Sequence, residues 1–162
     1  MTAAGRDLAV TQEPLSPVPA RAPMLCVLPG TPEAVAAARQ VARQLLGDDN
    51  PATETAMLLI SELVTNSVVH SKSGEPGGSV TVALCSGPAG ILIQVRDDGG
   101  MSEPHVTALS ADLTEGGCGA AERGYGLVLV DTLAERWGTI SSPDGRITWC
   151  RVGVPWRPET KV

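Results

Sequence analysis

The chain has 162 residues, enough to bury one core and too few for two ordinary domains. Hydrophobic residues make up 43% and charged residues 19%, and 12 Lys plus Arg stand against 18 Asp plus Glu for a formal charge of -6. That soluble, mildly acidic profile argues against a protein that grips nucleic acid by neutralising phosphates, and no apolar run approaches the roughly 18 residues of a membrane span.

In chain order, residues 1–22 hold Pro14, Pro17 and Pro19 without an apolar period and read as a flexible leader. No hydrophobic signal core follows Arg6 and Asp7, so the expected compartment is the cytoplasm. One domain is expected over 23–157, with 158–162 as a tail. Residues 24–28 form a short apolar run suited to an edge strand, closed by Pro29 and Gly30. Thr31 is expected to cap a helix with Pro32 at its first position and Glu33 at the positive end of the dipole. Val35, Ala38, Ala42 and Leu45 form its apolar side, and Gly47 ends it. Asn50 and Pro51 repeat the signal, and a second helix is expected to about Ser71. Ala56, Leu59, Ile60, Leu63, Val64 and Val68 form its buried side.

A Gly/Pro/Ser turn over 73–79 precedes two alternating strands, 80–84 and 91–95, joined by a link short enough for a hairpin. Residues 98–123 are irregular and glycine-rich, with room for a turn or two of helix over 105–112; a connection this long in a small domain is usually functional or mobile. A third helix is expected over 127–136, burying Leu127, Val130, Leu133 and Ala134. Two last strands, 137–142 and 146–154, flank the Pro143-Asp144-Gly145 turn. The order strand, two helices, two strands, loop, helix, two strands predicts an α+β two-layer sandwich, a mixed, mainly antiparallel sheet covered on one face by helices. With aromatics at 2% and no Phe, its core must be Val, Leu, Ile and Ala. The four cysteines, Cys26, Cys85, Cys118 and Cys150, lack the spacing of a metal knuckle or CxxC and are expected as free apolar fillers, Cys118 the most exposed.

Glu62, Asn66 and His70 recur every four residues and form one polar column on the second helix, drifting by roughly 40° per step. Alone, such a column reads as a solvated helix face ahead of the lining of a ligand site. The strand ending at Val95 runs into Asp97-Asp98-Gly99-Gly100, where a carboxylate meets glycines that permit close backbone approach; an ordinary Asp-Gly turn reads the same way. Gly124-Tyr125-Gly126 opens the third helix, whose free N–H groups suit a phosphate. GxG alone is weak, because 18 glycines in 162 residues give about two chance matches. Neither a GxxxxGK[ST] loop nor a GxGxxG after the first strand is present.

Together, Ser61-Glu62-Leu63-Val64-Thr65-Asn66-Ser67-Val68-Val69-His70, Val95-Arg96-Asp97-Asp98-Gly99, and Arg123-Gly124-Tyr125-Gly126-Leu127 through Trp137-Gly138 resemble the three nucleotide boxes of the GHKL ATPase superfamily. The nearest subgroup is the anti-sigma-factor serine kinases and their stand-alone ATP-binding relatives. The resemblance covers about 24–154 and implies the Bergerat helix-on-sheet fold, with ATP and Mg²⁺ as cofactors. By position, it implies that Asn66 holds Mg²⁺ and that Glu62 is the general base activating a serine hydroxyl or water. Asp97 would read the adenine amine, and Gly99 would let the base approach. Gly124, Gly126 and Leu127 would hold phosphates, Arg123 would reach the terminal phosphate, and Thr148 would support Asp97 through water. The stretch 100–123 would be the lid, and His70 is read as structural.

The resemblance implies an ATP-dependent serine/threonine protein kinase that binds a sigma factor and phosphorylates an anti-anti-sigma-type antagonist. It implies no direct nucleic-acid or membrane partner, and relatives of this kind often pair as homodimers through their sheets. Met101 stands where the family's second box carries its last glycine, and this departure keeps a second reading open: a non-catalytic module whose protein partner is gated by nucleotide. The catalytic half of a histidine kinase is disfavoured, since no His precedes Pro51.

Overall fold

The alternation in 80–84 and 91–95 builds the centre of the sheet: Val80, Val82, Leu84, Ile91, Ile93 and Val95 all point inward and are fully buried. The computed structural model describes residues 23–100 and 125–153. The leader, the tail, the 105–112 helix, most of the expected lid, Met101, Cys118, Arg123 and Gly124 lie outside the described residues. Strand β1 (Met24–Pro29) leads into helices α1 (Glu33–Leu46) and α2 (Thr53–His70) and a 3-10 turn, Lys72–Gly74. Strands β2 (Ser79–Gly87) and β3 (Gly90–Asp97) follow, then helix α3 (Tyr125–Leu133) and strands β4 (Arg136–Ser142) and β5 (Gly145–Val152). The element order is the expected one.

The sheet order is β1-β2-β3-β5-β4. All four pairings are antiparallel, so no parallel pair occurs among the described strands. Strand β5 inserts between β3 and β4 and pairs Asp97 with Arg146 and Val95 with Thr148. Two-residue links, Pro88-Ala89 and Pro143-Asp144, close the two hairpins. Gly145 takes φ +136°, a conformation that L side chains rarely adopt, and a Cβ there would lie 2.3 Å from the Asp97 carbonyl oxygen.

Helices α1 and α2 start later than the caps in the sequence suggest, whereas α3, expected over 127–136, runs earlier, from Tyr125 to Leu133. Helix α1 begins at Glu33 with Pro32 at the cap and no side-chain cap bond. Thr31 bonds instead to the Glu33 carboxylate and holds its pKa below the ordinary value. Asn50 Oδ1 accepts from Ala52 N at 3.0 Å and sets the turn that admits α2 at Thr53. The buried stripe of α1 is Ala34, Ala38 and Ala42, with Val35 and Leu45 at its margins; small side chains let this helix pack closely. Helix α2 is the central pillar, burying Ala56, Met57, Leu59, Ile60, Leu63 and Val64 against the sheet and its neighbours. Each of the large aliphatic side chains among them contributes about 1.5–3 kcal/mol on burial. On α3, Val130 and Leu127 face the core, whereas Leu133, expected inside, is 40% exposed. Three positions past Val130 is roughly 60° short of a full turn, which leaves Leu133 on the flank. Cys26, Cys85 and Cys150 are free thiols; Cys150 is buried and its pKa is pushed up to about 12 by loss of solvent.

Candidate functional site

The polar column of α2 exists and is graded in depth. Glu62 and Asn66 are half-buried and His70 is exposed. Glu62 meets the start of α3: a Cβ at Gly126 would sit 2.7 Å from Glu62 Oε2, so only glycine fits there without displacing the carboxylate. Loss of solvent raises the Glu62 pKa. One turn further along, Asn66 Nδ2 is buried with no hydrogen-bond partner among the described residues. A buried amide left in this state carries a desolvation cost that a bound polar group would offset.

The second cluster forms where the end of β3 meets the end of α2. Asp97 is almost fully buried. Its Oδ2 accepts from Ser67 Oγ at 2.9 Å, and its Oδ1 accepts from Gly99 N at 2.8 Å. Arg146 reaches the same Oδ2 from β5, through Nη2 at 3.0 Å and Nε at 3.3 Å. Around this core, Ser73 Oγ accepts from Asp98 N at 2.9 Å and donates to Asp98 Oδ2 at 3.1 Å, and Lys72 N donates to Gly99 O at 2.8 Å. Gly99 takes φ +72°, the left-handed conformation that lets the chain turn there. The Asp-Gly segment is therefore tied to the 3-10 turn rather than left as a free loop.

Of the residues singled out in the sequence, Glu62 and Gly126 meet where α2 and α3 pack, Asn66 lies one turn along α2, Leu127 is buried in the first turn of α3, and Asp97 and Gly99 lie at the end of β3. Ser67, next to Asn66 in the chain, joins the two groups. Thr148 is buried on β5 opposite Val95, and its Oγ1 has no hydrogen-bond partner among the described residues. The β5 side chain that engages Asp97 directly is Arg146. Sequence reasoning missed Arg146, Ser67 and Ser73. The signal for Arg146 was present: in a strand whose Thr148 and Cys150 face inward, period two places residue 146 on the same face.

A magnesium nucleotide fits this set of groups. Mg²⁺ keeps mostly water and phosphate oxygens and needs few protein ligands. One half-buried amide such as Asn66 is therefore adequate, and no group of three His, Cys, Asp or Glu that could hold a metal unaided occurs among the described residues. The profile of a family described as the histidine kinase-like ATPase domain matches residues 28–152. The chain belongs to that family. This histidine kinase-like ATPase domain is also similar in fold to a solved structure, the RsbU and RsbW domains of Rv1364c from Mycobacterium tuberculosis. The TM-score is 0.58 at 20% identity, over 85% of this chain and 34% of that one. The domain thus spans about a third of that chain's length. No curated protein matches it. No described helix of the domain is long and apolar enough to cross a membrane.

Proposed function

We propose that this ATPase-family domain binds ATP with Mg²⁺ and acts as a protein serine/threonine kinase of the anti-sigma type. It would hold a sigma factor and phosphorylate a small anti-anti-sigma-type antagonist. The observation that carries this reading is the half-buried Glu62 carboxylate. Its pKa is raised by desolvation, it lies against the glycine start of α3, and Asn66 follows one turn along the same helix. Mg²⁺, when bound, supplies charge neutralisation on the phosphates. A carboxylate of raised pKa is a stronger base, which suits Glu62 to take the proton of an incoming serine hydroxyl. Asn66 orients the phosphate end, Asp97 and Gly99 frame the base end, and the first turn of α3 offers backbone N–H groups to phosphate.

A second reading is favoured by Met101, which replaces the last glycine of the second box: a module that binds nucleotide without turnover and holds or releases a protein partner. Calorimetric titration of ATP with Mg²⁺ into the wild-type protein and Asn66→Ala tests the nucleotide site. Saturable binding that the variant loses or weakens severely is expected, and absence of binding to the wild type would overturn both readings. Labelled γ-phosphate appearing on a co-purified partner, and lost in Glu62→Ala, supports the kinase. Its absence alongside nucleotide-dependent partner retention supports the module. Exposed Leu25 and Val27 on β1 and Ile140 on β4 lie on the uncovered sheet face, which supports pairing with a second copy through that face.

A further inference from the structure

The 3-10 turn after α2 holds a serine whose hydroxyl is used twice. Ser73 is fully buried, and its Oγ accepts from Asp98 N at 2.9 Å and donates to Asp98 Oδ2 at 3.1 Å. One hydroxyl thus grips the backbone and the carboxylate of a single residue, a task that needs a donor and an acceptor on the same atom. The serine is itself held on both sides. Its N–H donates to Ser71 Oγ at 3.0 Å, and Ser71 Oγ donates to Ser67 O at 2.6 Å, which ties the turn to the last turn of α2. Its carbonyl oxygen lies against Gly30 and Gly78, where a Cβ at either position would collide with it.

Asp98 stands between the two residues that frame the base end. Asp97 Oδ2 takes Ser67 and Arg146, whereas Oδ1 takes Gly99 N at 2.8 Å and keeps an acceptor site for a further donor. An exocyclic amine is a donor of that kind. The bond from Gly99 N to Oδ1 closes an Asx turn, which lasts only while residues 97–99 keep their bend, with Gly99 at φ +72°. Ser73 grips the middle of that bend, and Lys72 N holds its far end through Gly99 O at 2.8 Å. The direction in which Oδ1 presents its acceptor site is therefore set from the 3-10 turn. Without the Ser73 hydroxyl, the turn would hold the bend through Lys72 alone.

We propose that Ser73 is a positioning residue for recognition of the nucleobase. Through Asp98 it keeps Asp97 Oδ1 aimed at the 6-amino group of adenine, and so sets how strongly the site prefers adenine to a 6-oxopurine. The assignment rests on the nucleotide reading above. Ser73 acts through Asp98 and is not a catalytic residue. The phosphate end, at Asn66 and Gly126, is carried by the middle of α2 and the start of α3.

The test is calorimetric titration of the magnesium complexes of ATP and of inosine triphosphate, whose base carries a 6-oxo group, into wild type, Ser73→Ala, Asp98→Ala and Asp98→Asn. Wild type is expected to prefer ATP by about tenfold, the scale of one hydrogen bond. In Ser73→Ala that preference is expected to fall by at least about threefold, with the affinity for inosine triphosphate little changed. Asp98→Asn, whose amide oxygen still accepts from Ser73, is expected to keep the preference that Asp98→Ala reduces. A serine that serves folding alone would weaken both nucleotides together, so a folded Ser73→Ala with the wild-type ratio overturns the assignment. If Ser73→Ala fails to fold, the Asp98 variants decide, and equal ratios in Asp98→Ala and Asp98→Asn overturn it. Wild-type binding that depends on Asn66 but prefers ATP by less than about threefold overturns this assignment only. Binding of neither nucleotide to wild type overturns the nucleotide reading with it.

Discussion

In the proposed phosphotransfer, Glu62 is a residue at which folding and chemistry oppose each other. Its folded-state pKa is raised by desolvation, so the folded chain holds its proton to higher pH than the unfolded chain does. The associated stability is fully present below the unfolded value and is lost as pH rises through the folded one. Glu62→Gln removes that loss and keeps the shape. At pH 7 the variant is expected to melt above wild type by circular dichroism, with the difference vanishing below about pH 3, where wild type is protonated at this position in the folded and the unfolded chain alike. The same variant is expected to lose phosphotransfer. The α2 column and Asp97 could be located from their spacing and from the strand end, but each pattern alone also reads as a solvated face or an Asp-Gly turn, and only the three motifs in order single these residues out. For Arg146 the inward face was legible from period two, but its partner was not, because only the register with β3 shows that it faces Asp97. Ser67 was quoted as part of a motif but given no role, since its partner lies thirty positions away in sequence.

Helix α2 carries the site and the core at once, with Glu62 and Asn66 on one side and Leu59, Ile60, Leu63 and Val64 on the other. Leu63 is fully buried between Glu62 and Asn66 in sequence, so its loss leaves a cavity behind the site. Leu63→Ala is expected to cost about 2–5 kcal/mol in urea unfolding. Element types and order could be read from the sequence because the apolar periods are strong in β2, β3 and α2. Helix starts could not be placed, because Thr31 turns its hydroxyl to Glu33 rather than to the helix backbone, and Asn50 caps a turn ahead of α2 rather than the helix itself. Of the inward set expected for α3, Leu133 alone turns out to the flank, at the last position of a nine-residue helix, whereas Ala134 just beyond it packs partly buried against the core.

At the scale of the fold, among the described residues the helices cover one sheet face and leave the other open, with Leu25 and Val27 each about two-thirds exposed. If that face joins two copies, Val27→Lys is expected to elute as a monomer where wild type elutes as a dimer, as judged by light scattering coupled to size exclusion. Two monomers, or two dimers, would refute pairing through β1. The sandwich was legible because runs of strands and helices admit few layerings. The strand order was less so, since pairing β5 with β3 joins segments about fifty residues apart and no local pattern announces it.

That long-range pairing also sets a sequence of events during synthesis. Asp97 precedes its guanidinium partner by 49 positions. At ordinary translation rates the interval is roughly 2 to 10 s. Throughout it, β3 keeps one unpaired edge, and the carboxylate at its end is without the guanidinium that pairs with it in the fold. The growing chain can assemble α1, α2 and the first three strands, but it cannot complete the buried polar cluster around Asp97 until β5 emerges.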